Sequence, residues 1–162
     1  MIEFVIMFLA VALLAFLIWR NKKKDNDAIE QGDMVKRENK FFQQSHTFKT
    51  DIQDIKDIYD ALDWEILTNN SIKYSLSGKE IIFERYVLGQ GMTAALSYKS
   101  RDNEGKQLYQ FEVHRFTTRK GMMAGVRDAN ISLTTVEKAV FKLDSKATVE
   151  RLNAKYKTDT KW

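Results

Sequence analysis

Asp51, Asp54, Asp57 and Asp60 fall at every third position, and evenly spaced carboxylates are the first feature of this chain that could hold a cation. On a helix, three-residue steps drift by about 60° per repeat, so the four side chains spread over half the circumference instead of converging. A hard cation wants about six oxygens around one point. The pattern therefore reads as a solvated helix face. His46 and His114 are the only histidines, and neither has a second histidine or a cysteine at ligand spacing. Glu112 and His114 stand two apart, which is what any exposed strand face supplies, and this does not make a general acid–base pair. The chain has no cysteine, which removes disulfides, thiolate nucleophiles and cysteine-ligated metals together. The nucleophile elbow, the zinc-protease helix and the phosphate-binding loop are all missing from the sequence. The reading is of a non-enzymatic protein with no catalytic residues, no cofactor and no metal, with a membrane-tethered enzyme of unknown class as an alternative for which no residue set stands out.

The segment most suited to binding is Thr117 to Arg127. Here Gly121 and Gly125 bracket Met122 and Met123, and Arg119, Lys120 and Arg127 stand at the rims. Glycines supply flexibility and methionines an adaptable apolar surface, so a flexible partner-binding loop is expected at Arg119, Lys120, Met122, Met123 and Arg127. Its context lacks the strand, glycine-rich turn and Lys-Ser/Thr of a phosphate site. A second candidate surface is electrostatic. Net charge is +4 over the whole chain, but residues 25–116 sum to −4 and residues 117–162 to +5. Lys138, Lys142, Lys146 and Arg151 would then lie on a basic helix surface able to meet anionic lipid or nucleic acid, with steep salt dependence.

Both surfaces need elements to carry them. Phe4 to Trp19 is an uninterrupted apolar run of sixteen residues followed by Arg20, Lys22, Lys23 and Lys24. It reads as a single transmembrane helix over 1–19, about 24 Å of helix with Phe4 at one end and Trp19 at headgroup depth. Four basic residues follow the run and none precedes it, so the N-terminus is expected outside and the bulk of the chain in the cytosol. No small-x-small site follows the run, so it reads as an uncleaved signal-anchor in a bacterial-type inner (cytoplasmic) membrane. Residues 20–40 form a basic stop and polar tether that could prolong the helix for a few turns, and without proline no stiff spacer exists.

Residues 41–162 are expected to form one soluble α+β domain. Ile52, Ile55, Tyr59 and Leu62 make a helical stripe after Thr50 as N-cap. Period-two runs around Ile72–Leu76, Ile81–Phe83, Met92–Tyr98 and Tyr109–Phe116 predict an antiparallel meander of four strands, with Trp64–Leu67 as a fifth strand or the helix exit. Gly89-Gln90-Gly91 is expected to be a hairpin loop. Two C-terminal helices follow, one carrying Leu133, Val136, Val140 and Leu143 with Ser132 as cap, the other Val149, Leu152 and Tyr156. The architecture is a small two-layer sandwich whose open face, with Ser97, Lys99, Gln110, Glu112 and His114, is wet or partnered. The expected partners are the lipid bilayer and another protein at the membrane surface, with nucleic acid as an alternative.

Overall fold

The computed structural model describes the backbone of residues 2–37, 41–87, 90–119, 122–153 and 157–161, and the side-chain surroundings of somewhat fewer. It divides into two compact units, residues 1–36 and 37–162.

The first unit is a helix, α1 (Ile2–Glu30), closed by a turn in which Gly32 takes φ +77° and the Gly32 amide donates to the Ile29 carbonyl at 3.0 Å. The polar residues after Trp19 continue the helix up to Glu30, as leucine-rich turns propagate into good helix formers such as lysine. Among the described residues no helix is long and apolar enough to cross a membrane. The membrane-spanning helix expected over 1–19 is thus not supported by the described residues, which show a helix with an exposed apolar half and a basic end.

The second unit is α+β. A 3-10 turn (Phe41–Gln43) leads into β1 (Gln44–Thr50), then α2 (Ile55–Ala61), α3 (Trp64–Asn69), β2 (Lys73–Ser77), β3 (Glu80–Val87), β4 (Gln90–Arg101), β5 (Gln107–Arg119), β6 (Met122–Ala124), α4 (Val126–Leu143), β7 (Thr148–Asn153) and β8 (Lys157–Lys161). The sheet order is β2-β3-β4-β5-β1-β7, antiparallel throughout, with β6 pairing antiparallel and β8 parallel to the end of β5. The four strands of the meander are where alternation places them. Ile81, Phe83, Met92, Leu96, Tyr109 and Phe111 are buried, and α4 packs on β4 and β5.

Five expectations are corrected. The first soluble helix starts at Ile55, because Asp54 accepts from the Lys56 amide and Thr50 ends β1, its hydroxyl donating to Asp144 Oδ2 at 2.7 Å. Trp64–Leu67 is helical, since Asp63 caps it by accepting from the Glu65 and Ile66 amides. Ser132 lies inside α4, where its hydroxyl donates to the Asp128 carbonyl at 2.9 Å, and the helix begins at Gly125 with φ +93°. The second C-terminal helix is instead strand β7, drawn into the sheet by its ladder with β1, so the two C-terminal helices reduce to one. Of the expected Gly89-Gln90-Gly91 loop, Gln90 and Gly91 belong to β4, with Gln90 opposite Val87, and Gly89 lies outside the described residues.

Gly91 is fixed by close approach. A Cβ there would stand 1.6 Å from the Arg85 carbonyl oxygen, a backbone atom that cannot rotate away. Gly78 has φ +58° and open space around it. Gly78→Ala is expected to cost about 1 kcal/mol of left-handed strain, whereas Gly91→Ala has to displace β3. Thermal denaturation of the two variants should show a clearly larger fall in Tm for Gly91→Ala.

Candidate functional site

The sheet has two ends of different chemistry. At one, β3 stops at Val87 and β4 starts at Gln90, while β5 stops at Arg119 and β6 starts at Met122. The pairing Met92↔Phe116 brings both hairpin ends together. The chain also enters the unit here, with Phe42 edge-on to Phe116 at 5.2 Å between ring centroids. At the other end lie the turn at Gly78, the turn from Asp102 to Lys106, and Asp144 after α4.

The expected partner-binding segment sits at the first end. Arg119 pairs with Met122, Thr118 with Met123 and Thr117 with Ala124, so the backbone of both methionines lies in β6, and Gly121 lies outside the described residues. Lys120 lies outside the described residues. Arg127, in the first turn of α4, donates through Nη1 to Asn70 Oδ1 at 2.8 Å, so it ties α4 to the end of α3. Next to it, Arg85 donates to Asp128 Oδ2 at 2.7 Å, an ion pair whose carboxylate is buried.

Only two of the four residues expected on a basic helix surface lie on a helix. Lys138 and Lys142 are exposed on α4, Lys146 is exposed after it, and Arg151 is on β7 opposite His46. Of the open sheet face, Lys99, Gln110, Glu112 and His114 keep some exposure as expected, but Ser97 is buried and donates to Glu80 Oε1 at 2.7 Å. Glu112 meets Lys99 at 3.7 Å, and His114 is exposed where the β4–β5 register slips. The two do not act as a pair.

The aspartate row does not make a cation site. Asp51, Asp57 and Asp60 line a cleft of about 650 Å3 with Asp144, Lys142, Ile52, Ala61 and Leu143, while Asp54 caps α2. Lys106 pairs with Asp51 and Lys56 with Asp60. Asp144 accepts from the Asp51 amide at 2.9 Å and from Thr50, and these bonds hold its carboxyl below the usual range. Among the described residues no group of three or more potential ligands could hold a metal ion.

A polar cluster that sequence reasoning missed lies at the entry to the second unit. Arg37, counted in the tether by composition, is almost fully buried against α4. Its Nε donates to Asn130 Oδ1 at 2.7 Å, Nη1 to Glu137 Oε1 at 3.1 Å and Nη2 to Thr134 Oγ1 at 3.3 Å, and Nη2 also bonds Glu137 Oε2. His46 is buried beside it, with Nε2 3.4 Å from the Phe41 carbonyl and Nδ1 without a partner. The only sequence signal was Phe41-Phe42, which marked where burial starts, and a lone arginine before it carried none.

No known family model matches the chain, and neither does any curated protein or solved structure.

Two predictions arise from the entry cluster. Arg37→Ala leaves Glu137 partly buried and unpaired, so chemical denaturation in a mild detergent should show a loss of about 3 kcal/mol. Burial, more than the nearby Arg37 charge, pushes the His46 imidazole below its ordinary 6.5. The unfolded chain then takes up a proton that the folded chain refuses, so stability falls as pH drops from about 6.5 towards the lowered folded value. Asp102 and Asp144, whose carboxyls are held below 3.8, act only at more acid pH, so the windows separate. His46→Gln should flatten the slope of Tm between pH 7.5 and 5, as about two and a half pH units cover that window.

Proposed function

We propose that this chain is a single-pass membrane-anchored protein of the bacterial inner membrane, N-terminus out, whose α+β domain is a non-enzymatic module binding another protein at the cytosolic membrane surface. One observation carries the reading. Every described large apolar side chain from Phe4 to Trp19 is exposed, from 42% at Leu17 to 75% at Phe4. An apolar surface continuous around a whole helix has no stable state in water and must be covered. Charge at its end favours lipid as the cover: Arg20 and Lys22, Lys23 and Lys24 are all exposed, and Lys23 Nζ lies 5.7 Å from the Trp19 ring, an arrangement suited to headgroup depth.

The apolar run from Phe4 to Trp19 has sixteen residues, about 24 Å of helix. A stretch this short spans by thinning the bilayer locally and letting flanking lysines snorkel, at a modest cost. The positive-inside bias then sets the domain in the cytosol. Confinement near the membrane raises the effective concentration of the domain towards membrane partners, so weak contacts suffice and no deep site is needed. Nucleic-acid binding is less favoured, because Lys138, Lys142, Lys146 and Arg151 are dispersed over α4, the segment after it and β7.

Replacing Leu13 and Leu14 by Arg places two charges in the apolar half at roughly 3 kcal/mol each. The variant should leave the membrane pellet while the parent resists alkaline extraction. Proximity labelling from a fusion after Trp162 should enrich one assembly with a cytosolic face. A parent chain released by alkali, or labelling confined to envelope proteins, contradicts the reading.

A further inference from the structure

Where the polar half of α1 begins, its charge is arranged as a step. Residues 20–24 contribute +4, and residues 25–33 contribute −4 from Asp25, Asp27, Glu30 and Asp33 with no basic residue among them. Arg20, Lys22, Lys23 and Lys24 are exposed, and among the described residues none of the four meets a carboxylate within ion-pair distance. Lys23 and Asp27 stand four apart and could pair, yet Lys23 Nζ lies instead 5.7 Å from the centroid of the Trp19 ring, one turn back. Cα–Cβ bonds on a helix tilt towards its N-terminus, so the long side chains at 22–24 lean towards the apolar half. The carboxylates that follow are shorter and start further along the axis. At about 100° per residue the four cations are spread so that no half of the helix circumference is without one.

We infer that this collar of four cations takes the headgroups of anionic phospholipids, so that the helix gathers acidic lipid around itself. The inference rests on the anchor reading for the bilayer, and it names the lipid class that the end of the helix selects. Three features favour lipid over an acidic protein. A collar that points to all sides has to be met from all sides, which a leaflet surrounding a helix does and a groove on one protein does not. Residues 20–33 sum to zero, so net charge alone gives no attraction to an anionic surface. Only a helix end standing in that surface holds the four cations at the phosphate level and carries the carboxylates outward, at about 1.5 Å per residue. Finally, the apolar run is about 24 Å long against about 30 Å of hydrocarbon, which draws the first cations down to the headgroups. A zwitterionic lipid neutralises its own phosphate with its choline. An acidic lipid leaves its phosphate to the collar, and each cation there strengthens association about fivefold.

Trp19, beside the collar, is the reporter for the test. The full chain with Trp64→Phe and Trp162→Phe retains Trp19 as its only indole. It is reconstituted in phosphatidylcholine vesicles with about one tenth phosphatidylglycerol. Bromine is carried on the upper acyl chain of either the phosphatidylglycerol or an equal share of the phosphatidylcholine. Brominated phosphatidylglycerol should quench Trp19 as though enriched about fivefold next to the helix, and high salt should reduce that enrichment. Arg20→Gln with Lys22→Gln, Lys23→Gln and Lys24→Gln should make the two lipids equal. Lys22→Arg with Lys23→Arg and Lys24→Arg should keep the preference, and so should Lys138→Gln with Lys142→Gln and Lys146→Gln. A preference that survives the loss of all four charges overturns the proposal, and so does equal quenching by the two lipids in the parent. The anchor is read in the same samples. Equal quenching keeps the helix in the bilayer and removes the lipid selection, whereas a Trp19 that neither lipid quenches removes the anchor reading and this inference with it.

Discussion

Nine consecutive residues of α4, Asp128 to Val136, are buried, and the rest of the second unit is arranged around that fact. A surface helix hides one stripe, and a helix hidden on all sides must find a partner for every polar side chain it carries. Ser132 and Thr135 bond back to carbonyls one turn earlier. Asp128 takes Arg85 from β3, and Asn130 and Thr134 take Arg37 from the incoming chain. Covering α4 therefore recruits α2 and α3 on its outer side and draws the end of the tether into the domain. The entry of the chain is a structural part of the core, and Arg37 is the residue that makes it so.

The same demand explains why polar residues are spent on structure and not on chemistry. Arg85, Arg127, Asp128, Asn130 and Glu137 would look like a catalytic set in a list of charged groups near a helix N-terminus. Each described one has a partner from another element that holds the fold together. His46 belongs to the same class: burial keeps it neutral and the Phe41 carbonyl holds one of its nitrogens. Outside this interior, the large apolar side chains described on α1 are exposed.

How much of this was legible in the sequence follows from which residues carry their own signal. Ile81, Phe83, Met92, Leu96, Tyr109 and Phe111 alternate strongly, and β2 to β5 follow from that alternation alone. β1 was invisible because Gln44 to Thr50 has one large apolar residue, Phe48, and is a strand by virtue of neighbours on both edges. β7 misled, since Val149, Leu152 and Tyr156 fit a helical spacing until β1 offers a ladder. For the candidate site, composition singled out the Arg119–Arg127 segment, and the structure places it at the end of β5, in β6 and at the start of α4. Its neighbours at the same end, Tyr86 and Val87, are more than thirty positions away and come together only through the register Met92↔Phe116. Arg37 had no signal, because a buried arginine and a tether arginine are the same letter until the carboxylate opposite is known.

The proposed function depends on α1 being held in a bilayer with the second unit on the cytosolic side. The measurement that addresses this directly is the reactivity of a single cysteine at Asn103 towards a membrane-impermeant maleimide in whole cells. The account predicts no labelling of intact cells and full labelling once the membrane is permeabilised, with the protein in the membrane pellet in both cases. Labelling of intact cells would place the domain outside and contradict the account, and recovery of the protein in the soluble fraction would remove the anchor on which it stands.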